Sequence, residues 1–272
     1  MGFFSWLFKR KKSSKKLKLG VALGSGGAKG FALLGALKAF EENGIEFDIV
    51  AGTSIGSIVG AFYADGYSTT DILELIRRVD FSEIKNLFMM RMDTSGLHGV
   101  IDKTIGFKNI EELKKPFRAV ATVVETGEEY VFDKGNVAIA LCASSSYPPF
   151  FKPVVINDVR YIDGAFSNSV PADLVKNLGA DYIVGIDLSN HNQSKSLLSR
   201  IIPTYKGKVE KPWQKGYEYS NVVLHPDLTE YSPISFKEWD KIFDIGYQLA
   251  IDNMPQILTQ IENLKKTKKI KN

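Results

Sequence analysis

FDIVAGTSIG, residues 47–56, decides how the rest of the chain reads. A short apolar run, Phe47-Asp48-Ile49-Val50-Ala51, has the length of a buried strand and ends in the frame Gly52-Thr53-Ser54-Ile55-Gly56. Ile55 to Tyr63 then continues as a helical pattern, so Ser54 falls at a strand-to-helix junction. A serine framed by glycines there fits a nucleophile elbow, in which the backbone is strained and the hydroxyl stands clear of the sheet. The plainer alternative is a glycine-rich turn with Ser54 capping the helix.

Working outward, the same alternation repeats. Lys18 to Gly24 reads as a strand, and Ala28 to Asn43 as a helix with Phe31, Leu34, Leu37 and Phe40 at helical spacing. Thr69 to Val79 reads as a helix capped by Thr70 or Asp71. Strand–helix alternation of this kind predicts an α/β fold with a mainly parallel sheet and helices on its faces. Residues 80–116 are less regular and fit an insertion or helices over the sheet edge. Phe117–Thr126 with Glu129–Asp133, and Val154–Ile156 with Val159–Ile162, read as hairpins, the second turning at Asn157-Asp158. Asn136–Ser145 and residues 171–179 read as helices and Asp181–Asp187 as a strand. Residues 190–220 read as a mobile polar loop, and Phe236–Leu264 as a long helix kinked or broken at Pro255.

Composition narrows the function classes. The 272 residues are 44% hydrophobic and 24% charged, which suits one sizeable globular domain. The single cysteine, Cys142, precludes an internal disulfide framework and reads as core filler in a reducing compartment. Residues 1–18 hold seven basic residues and no acid, and residues 265–272 hold five lysines and no acid. Setting those twelve aside leaves 23 basic against 31 acidic residues, a body of net charge −8. That argues against a nucleic-acid-binding core. The chain therefore divides into a basic, aromatic tail at 1–17, a domain at 18–264 and a basic tail at 265–272. MGFFSWLF at the start is too short to span a bilayer, and no later segment is long and apolar enough. The expected location is cytoplasmic, with residues 3–18 suited to an anionic membrane surface.

Two further segments bear on Ser54. Gly24, Gly26, Gly27 and Gly30 lie between a strand and a helix, where free N–H groups and the helix end favour an anion. A phosphate loop is disfavoured because Lys29 precedes Gly30 instead of Ser or Thr. A dinucleotide fingerprint is closer, with Asp48 some twenty residues on, but its third glycine comes one position late. Asp163, in Tyr161-Ile162-Asp163-Gly164-Ala165, ends an apolar run and is a turn former or a base for Ser54. His191 and His225 follow Asp163, which leaves a Ser–Asp–His order formally open; the third histidine is His98. No His/Asp/Glu group has metal-ligand spacing.

In combination these blocks closely resemble the patatin-like phospholipases. The match comprises Gly26-Gly27-x-Lys29-Gly30, Gly52-Thr53-Ser54-x-Gly56, Ala143-Ser144-x-x-x-Pro148-x-x-Phe151 and Asp163-Gly164-Ala165, in order and spacing, within residues 18–190. The resemblance implies a three-layer α/β/α fold and hydrolysis of lipid carboxyl esters by a Ser–Asp dyad. Carried over residue by residue, Ser54 is the nucleophile and Asp163 the proton acceptor. The loop Gly26, Gly27, Ala28, Lys29, Gly30 forms the oxyanion hole. It implies no metal and no cofactor. Lys29 stands where arginine is commoner, and DGA replaces the DGG of plant members. Two other classes remain open: a non-catalytic lipid-binding scaffold, and a nucleotide-binding oxidoreductase using the glycine loop.

Overall fold

The computed structural model describes residues 16–78, 94–189, 191 and 209–270. Strands β1 (Leu19–Leu23), β2 (Ile49–Thr53), β3 (Phe117–Val123), β7 (Tyr182–Ile186) and β8 (Val222–Leu224) run parallel. Strands β4 (Glu129–Phe132), β5 (Val154–Ile156) and β6 (Val159–Asp163) complete the sheet with antiparallel pairings. The hydrogen-bonded path is β5-β6-β3-β2-β1-β7-β8, with β4 paired to β3.

The register around β3 sets up everything that follows. β4 pairs with Ala119–Thr122 and so occupies one edge of β3. β2 pairs with Phe117–Val120 and β6 with Ala121–Val123, so these two strands must share the other edge. They approach one another head-on, with Thr53 opposite Val120 and Asp163 opposite Ala121.

Alternation along the strands sorts side chains to two faces. Val21, Leu23, Val50, Val184 and Ile186 face the larger layer, built on helices α1 (Phe31–Glu42), α2 (Ile55–Ala64) and α3 (Thr69–Arg78) and the long C-terminal helix. Ala22, Ile49, Ala51 and Ile183 face α6 (Ala172–Asn177) through Val175 and Ala172. The result is helix, sheet, helix. Helix α4 (Ser95–Ile105) falls in the stretch that the sequence left irregular, and α5 (Val137–Ser144) follows β4. Asn157 and Asp158 both have positive φ, 50° and 62°, as a two-residue hairpin turn of the mirror-image type requires.

Four expectations change. The cap of α3 is Ser68, whose Oγ accepts from the Asp71 N–H at 3.1 Å while Asp71 accepts from the Ser68 N–H at 3.2 Å, a reciprocal box. Within the supposed loop at 190–220, residues 214–219 form helix α7 (Gln214–Tyr219); residues 190 and 192–208 lie outside the described residues. Helix α8 (Trp239–Ile270) runs unbroken through Pro255. Proline costs a helix interior about 3 kcal/mol, whereas Met254, Ile257 and Ile261 are buried at about 1.5–3 kcal/mol each. Packing wins. The tail boundaries move as well: Leu17 is buried, Lys16 pairs with Asp48 at 3.0 Å, and residues 265–270 are the last turns of α8, with Lys268 on Asp181 at 2.6 Å.

Helices α1 and α8 cross almost backbone to backbone. A Cβ on Gly35 would lie 2.0 Å from the Phe243 carbonyl oxygen, and one on Gly246 would lie 2.1 Å from that of Ala32. Neither neighbour is a side chain that can swing away. Gly246→Ala should therefore destabilise by about 1–3 kcal/mol, despite the better helix propensity of alanine. Urea titration of the purified variant measures this, and an unchanged or raised midpoint would refute the close crossing.

Candidate active site

Ser54 is the residue between β2 and α2, with φ 56° and ψ −127°, a left-handed backbone that side chains rarely adopt. The flanking glycines explain how the chain turns there. A Cβ on Gly52 would meet the Gly56 carbonyl oxygen at 2.2 Å, and one on Gly56 would meet that of Leu23 at 2.1 Å. Strand and helix backbones touch, and only glycine fits. The Ser54 N–H donates to Ser144 Oγ at 2.9 Å, and the Ser54 carbonyl accepts from Ser57 Oγ at 2.6 Å. Thr53 is pinned through its Oγ1 to the Asn168 carbonyl at 2.8 Å. Ser144 and Ser57 are positioning groups that the serine-glycine motif alone does not reveal. Ser144 sits in the block that carried part of the resemblance.

Asp163 ends β6 and is fully buried. Its N–H donates to the Ser146 carbonyl at 3.1 Å, and its own carbonyl accepts from Thr122 Oγ1 at 3.0 Å. Carboxylate Oδ1 accepts from the Ala165 N–H at 2.8 Å, while Oδ2 is buried with no hydrogen-bond partner. Burial pushes this carboxyl up to about 7, against the opposing pull of the Ser54 hydroxyl and the Ala165 N–H. Gly164 has no room for a side chain, because a Cβ would lie 2.3 Å from the Val120 carbonyl oxygen and 2.9 Å from Thr53 Cγ2. Thus β2 and β6, meeting on β3, bring Ser54 and Asp163 together from 109 positions apart in sequence.

The glycine loop leaves β1 beside them, and its donors are not equivalent. The Gly24 N–H is taken by the Ile186 carbonyl at 2.9 Å and that of Ser25 by Ser169 at 3.0 Å. Ala28 N–H donates to the Pro233 carbonyl at 2.8 Å, and Lys29 N–H folds back on Gly26 at 3.2 Å. Gly30 lies inside a 3-10 turn against Ile55, whose Cγ1 a Cβ would meet at 2.3 Å. Of the five residues expected to form an oxyanion hole, only Gly26 and Gly27 therefore keep N–H groups without a partner among the described residues. Ala28, Lys29 and Gly30 build the loop instead. The Lys29 side chain is almost buried, and desolvation lowers its pKa against the pull of Asp227. Phe31, Ile55, Ile76 and Phe236 line a narrow apolar slot next to Gly27 and Gly30.

The rival arrangements do not assemble. Asp48 lies before β2, where it accepts from the Leu19 N–H at 3.0 Å, at the opposite end of the strands from the glycine loop. A dinucleotide fingerprint needs its acid at the far end of that second strand. His98 pairs with Asp102 at 3.3 Å on α4. Of the two histidines that follow Asp163 in sequence, His191 pairs with Asp187 and His225 with Tyr217 and the Ser189 carbonyl, and among the described residues neither is hydrogen-bonded to Ser54 or Asp163. His191 Nε2 is 2.7 Å from Asp187 Oδ2, and His225 stacks on His191 with ring centroids 4.7 Å apart. Donor atoms of Asp187, His191 and His225 lie within 4.8 Å of one another. Pairing of β7 with β8 brings His225 to the other two, which spacing alone does not show. Cys142 is buried, its thiol pushed up to about 11 by desolvation, as suits core filler. A cavity of about 350 Å³ beside it, lined by His98, Ile139, Lys152 and Val154 among others, includes neither Ser54 nor Asp163.

Comparison with known proteins agrees with this architecture. The patatin-like phospholipase family model matches residues 21–176. Human patatin-like phospholipase domain-containing protein 6 is 28% identical over 277 residues, covering 85% of this chain and 20% of that protein. Lysophospholipase NTE1 of Candida albicans is 25% identical over 273 residues, covering 86% and 20%. The chain thus spans about a fifth of the length of the curated relatives it matches. Among solved structures, VipD from Legionella pneumophila aligns with a TM-score of 0.55 at 15% identity, over 89% of this chain and 67% of that one. Human GIVD cytosolic phospholipase A2 aligns at 0.52 and 11%, over 93% and 60%. At such identities the structural likeness speaks for the fold, while the family model, spanning more than half of the sequence, settles descent. The chain belongs to the patatin-like phospholipase family of lipid esterases.

Proposed function

We propose that this chain hydrolyses carboxyl esters of lipids through a Ser54–Asp163 dyad and an acyl-enzyme. The observation that carries the reading is the partnerless, buried Oδ2 of Asp163 next to a strained Ser54, with two free N–H groups on the adjoining glycine loop. Asp163 takes the Ser54 proton as Oγ attacks the ester carbonyl. The charge that develops on the carbonyl oxygen is met by the N–H groups of Gly26 and Gly27. Collapse breaks the bond to the leaving alcohol, which receives the proton from Asp163. Water then attacks the acyl-enzyme, giving its proton to Asp163, and the acid leaves with Ser54 restored. The substrate is a phospholipid, lysophospholipid or acylglycerol. Some relatives carry the name lysophospholipase. The dyad needs no metal and no cofactor.

We further propose that the chain works in the cytoplasm, at a membrane surface. Among the described residues no helix is long and apolar enough to cross a membrane. Residues 3–18 combine Phe3, Phe4, Trp6, Leu7 and Phe8 with seven basic residues, a composition suited to anionic headgroups. Residues 1–15 lie outside the described residues.

Variants at both residues, a pH profile, a melting comparison and a truncation test the reading. Ser54→Ala should lower turnover of a nitrophenyl ester by on the order of 10⁴-fold or more and abolish fluorophosphonate labelling. Wild-type protein that does not label would instead make the chain a non-catalytic scaffold. Asp163→Asn should cost on the order of 10⁴-fold, since an amide accepts no proton. In the wild type, kcat/KM should rise with pH through about 7 as Asp163 ionises. The folded carboxyl holds its proton more tightly than the unfolded one, so its contribution to stability falls as pH rises from about 4 to about 7. At pH 8 the asparagine variant should therefore melt no lower than wild type, and a clear drop in Tm would count against a costly buried carboxylate. Deleting residues 2–15 should reduce sedimentation with vesicles containing phosphatidylserine, most at low salt, and spare hydrolysis of a soluble ester. Equal sedimentation of both forms would discard the membrane role.

A further inference from the structure

We propose that Asp187, His191 and His225 form a binding site for a divalent transition-metal ion, zinc foremost, at the rim where β7 and β8 end. Three observations carry it. First, the donors converge: one atom from each residue lies within 4.8 Å of the others, and the set joins a carboxylate to two imidazoles. Oxygen and imidazole nitrogen donors of this mix suit zinc and its first-row neighbours and leave room for water in the remaining positions.

Second, the outer contacts that orient metal ligands are already built. Asp187 is fully buried, and its Oδ1 is held by the Ser189 N–H at 2.9 Å and the Ser189 hydroxyl at 2.6 Å, which leaves Oδ2 to face His191. His225 Nε2 lies 3.1 Å from the Ser189 carbonyl oxygen. A carbonyl can only accept, so that nitrogen carries the proton and Nδ1 holds the lone pair. Nδ1 is 3.2 Å from the Tyr217 hydroxyl, which donates to it. A ligating histidine whose other N–H is fixed by a backbone carbonyl is the usual outer-shell arrangement.

Third, the rings are clamped. His191 stacks on Trp213 with centroids 4.1 Å apart and an interplanar angle of 16°, and Tyr217 meets both rings edge-on. Loading the site exchanges contacts within this frame: the Tyr217 hydroxyl releases His225 Nδ1 to the ion, and donor atoms now within 4.8 Å of one another draw in. Ligand atoms about 2.0–2.1 Å from a tetrahedral zinc sit about 3.3 Å apart, so the 2.7 Å His191–Asp187 contact opens slightly. The proton on His191 Nε2 moves to the other ring nitrogen, and the ion takes its place.

The site is separate from the dyad but close to its loop. Leu188, next to Asp187, packs on Gly26, where a Cβ would lie 2.7 Å from the Leu188 Cβ. An ion there would tie together the two strand ends that wall the glycine loop. His98, on α4 with Asp102, is an internal control that shares residue type but not place.

Isothermal titration of chelator-treated full-length protein with zinc chloride is the test, with cobalt absorption as a second readout. One zinc per chain is expected, with visible cobalt bands of the intensity given by nitrogen and oxygen ligands. His191→Ala and His225→Ala should each weaken zinc by at least about tenfold, and His98→Ala should leave it unchanged. Zinc should raise the Tm of wild type but not of the double variant. His225→Gln provides a milder variant should either alanine form fail to fold. No saturable zinc binding by wild type, full binding by the double variant, or loss on His98→Ala alone would each overturn the proposal.

Discussion

One edge of β3 is shared by two strands, and the meeting of Ser54 with Asp163 depends on that sharing. β2 leaves off opposite Val120 and β6 takes over opposite Ala121, running the other way. A parallel sheet delivers Ser54 to its C-terminal rim, as α/β sheets deliver ligands and functional groups generally. An antiparallel strand alone can then point back at it along the same edge. The approach is tight enough to dictate residue types. Gly164 lies against the Val120 carbonyl and the Thr53 methyl, and Gly52 and Gly56 lie against backbone on both sides of the turn. A side chain at any of the three would force β2, β6 or α2 away, and the serine and aspartate would part.

What the sequence discloses follows from how local each cause is. Ser54 and its glycines are legible because much of their cause is local: the turn at Ser54 and the contact of Gly52 with Gly56 lie within five residues. The hairpin at Asn157-Asp158 is legible because both residues tolerate positive φ. Signals that require weighing a local penalty against distant packing mislead. Pro255 argues for a break, and the buried face of α8 outweighs it. The helix at Gln214–Tyr219 lies in a polar stretch with no apolar stripe, and its residues hold their place through neighbours such as Lys215, which bridges Asp173 at 2.9 Å and also pairs with Glu129. The partnership of Asp187 with His191 and His225 needs the β7–β8 pairing, which no spacing reveals.

The glycine loop shows a further limit of motif reading. Five consecutive residues carry the family pattern, yet the N–H groups of the first four have different fates: two free, one on Pro233, one turned inward. Sequence identifies the loop, and only the path of residues 229–236 decides which donors it presents. Glycine at position 27 also has more than one cause. Its φ is +57°, and a Cβ would lie 2.3 Å from the Pro233 carbonyl oxygen. Loss of activity on substituting it would therefore mix lost donors with a displaced loop, which makes the two residues of the dyad the cleaner probes.

Around Ser54 and Asp163, hydrogen bonding is close to saturated. Ser54 is held at its N–H and carbonyl, Thr53 at its hydroxyl, and Asp163 at its N–H, carbonyl and one carboxylate oxygen. Networks satisfied to this degree fix side chains in place, and the groups left over are those with capacity to spare. An unsatisfied atom is not diagnostic by itself, because Ser145, Ser169 and Ser220 also bury hydroxyls without partners. Those groups are neutral and hold their protons across the physiological range. Asp163 Oδ2 differs in being ionisable, with its carboxyl shifted to about 7 by the same burial that orphans it. Full burial raises the affinity for a proton, and proximity to Ser54 supplies one. The same desolvation that costs stability in the ionised form therefore makes Asp163 a stronger base than an exposed aspartate at this pH.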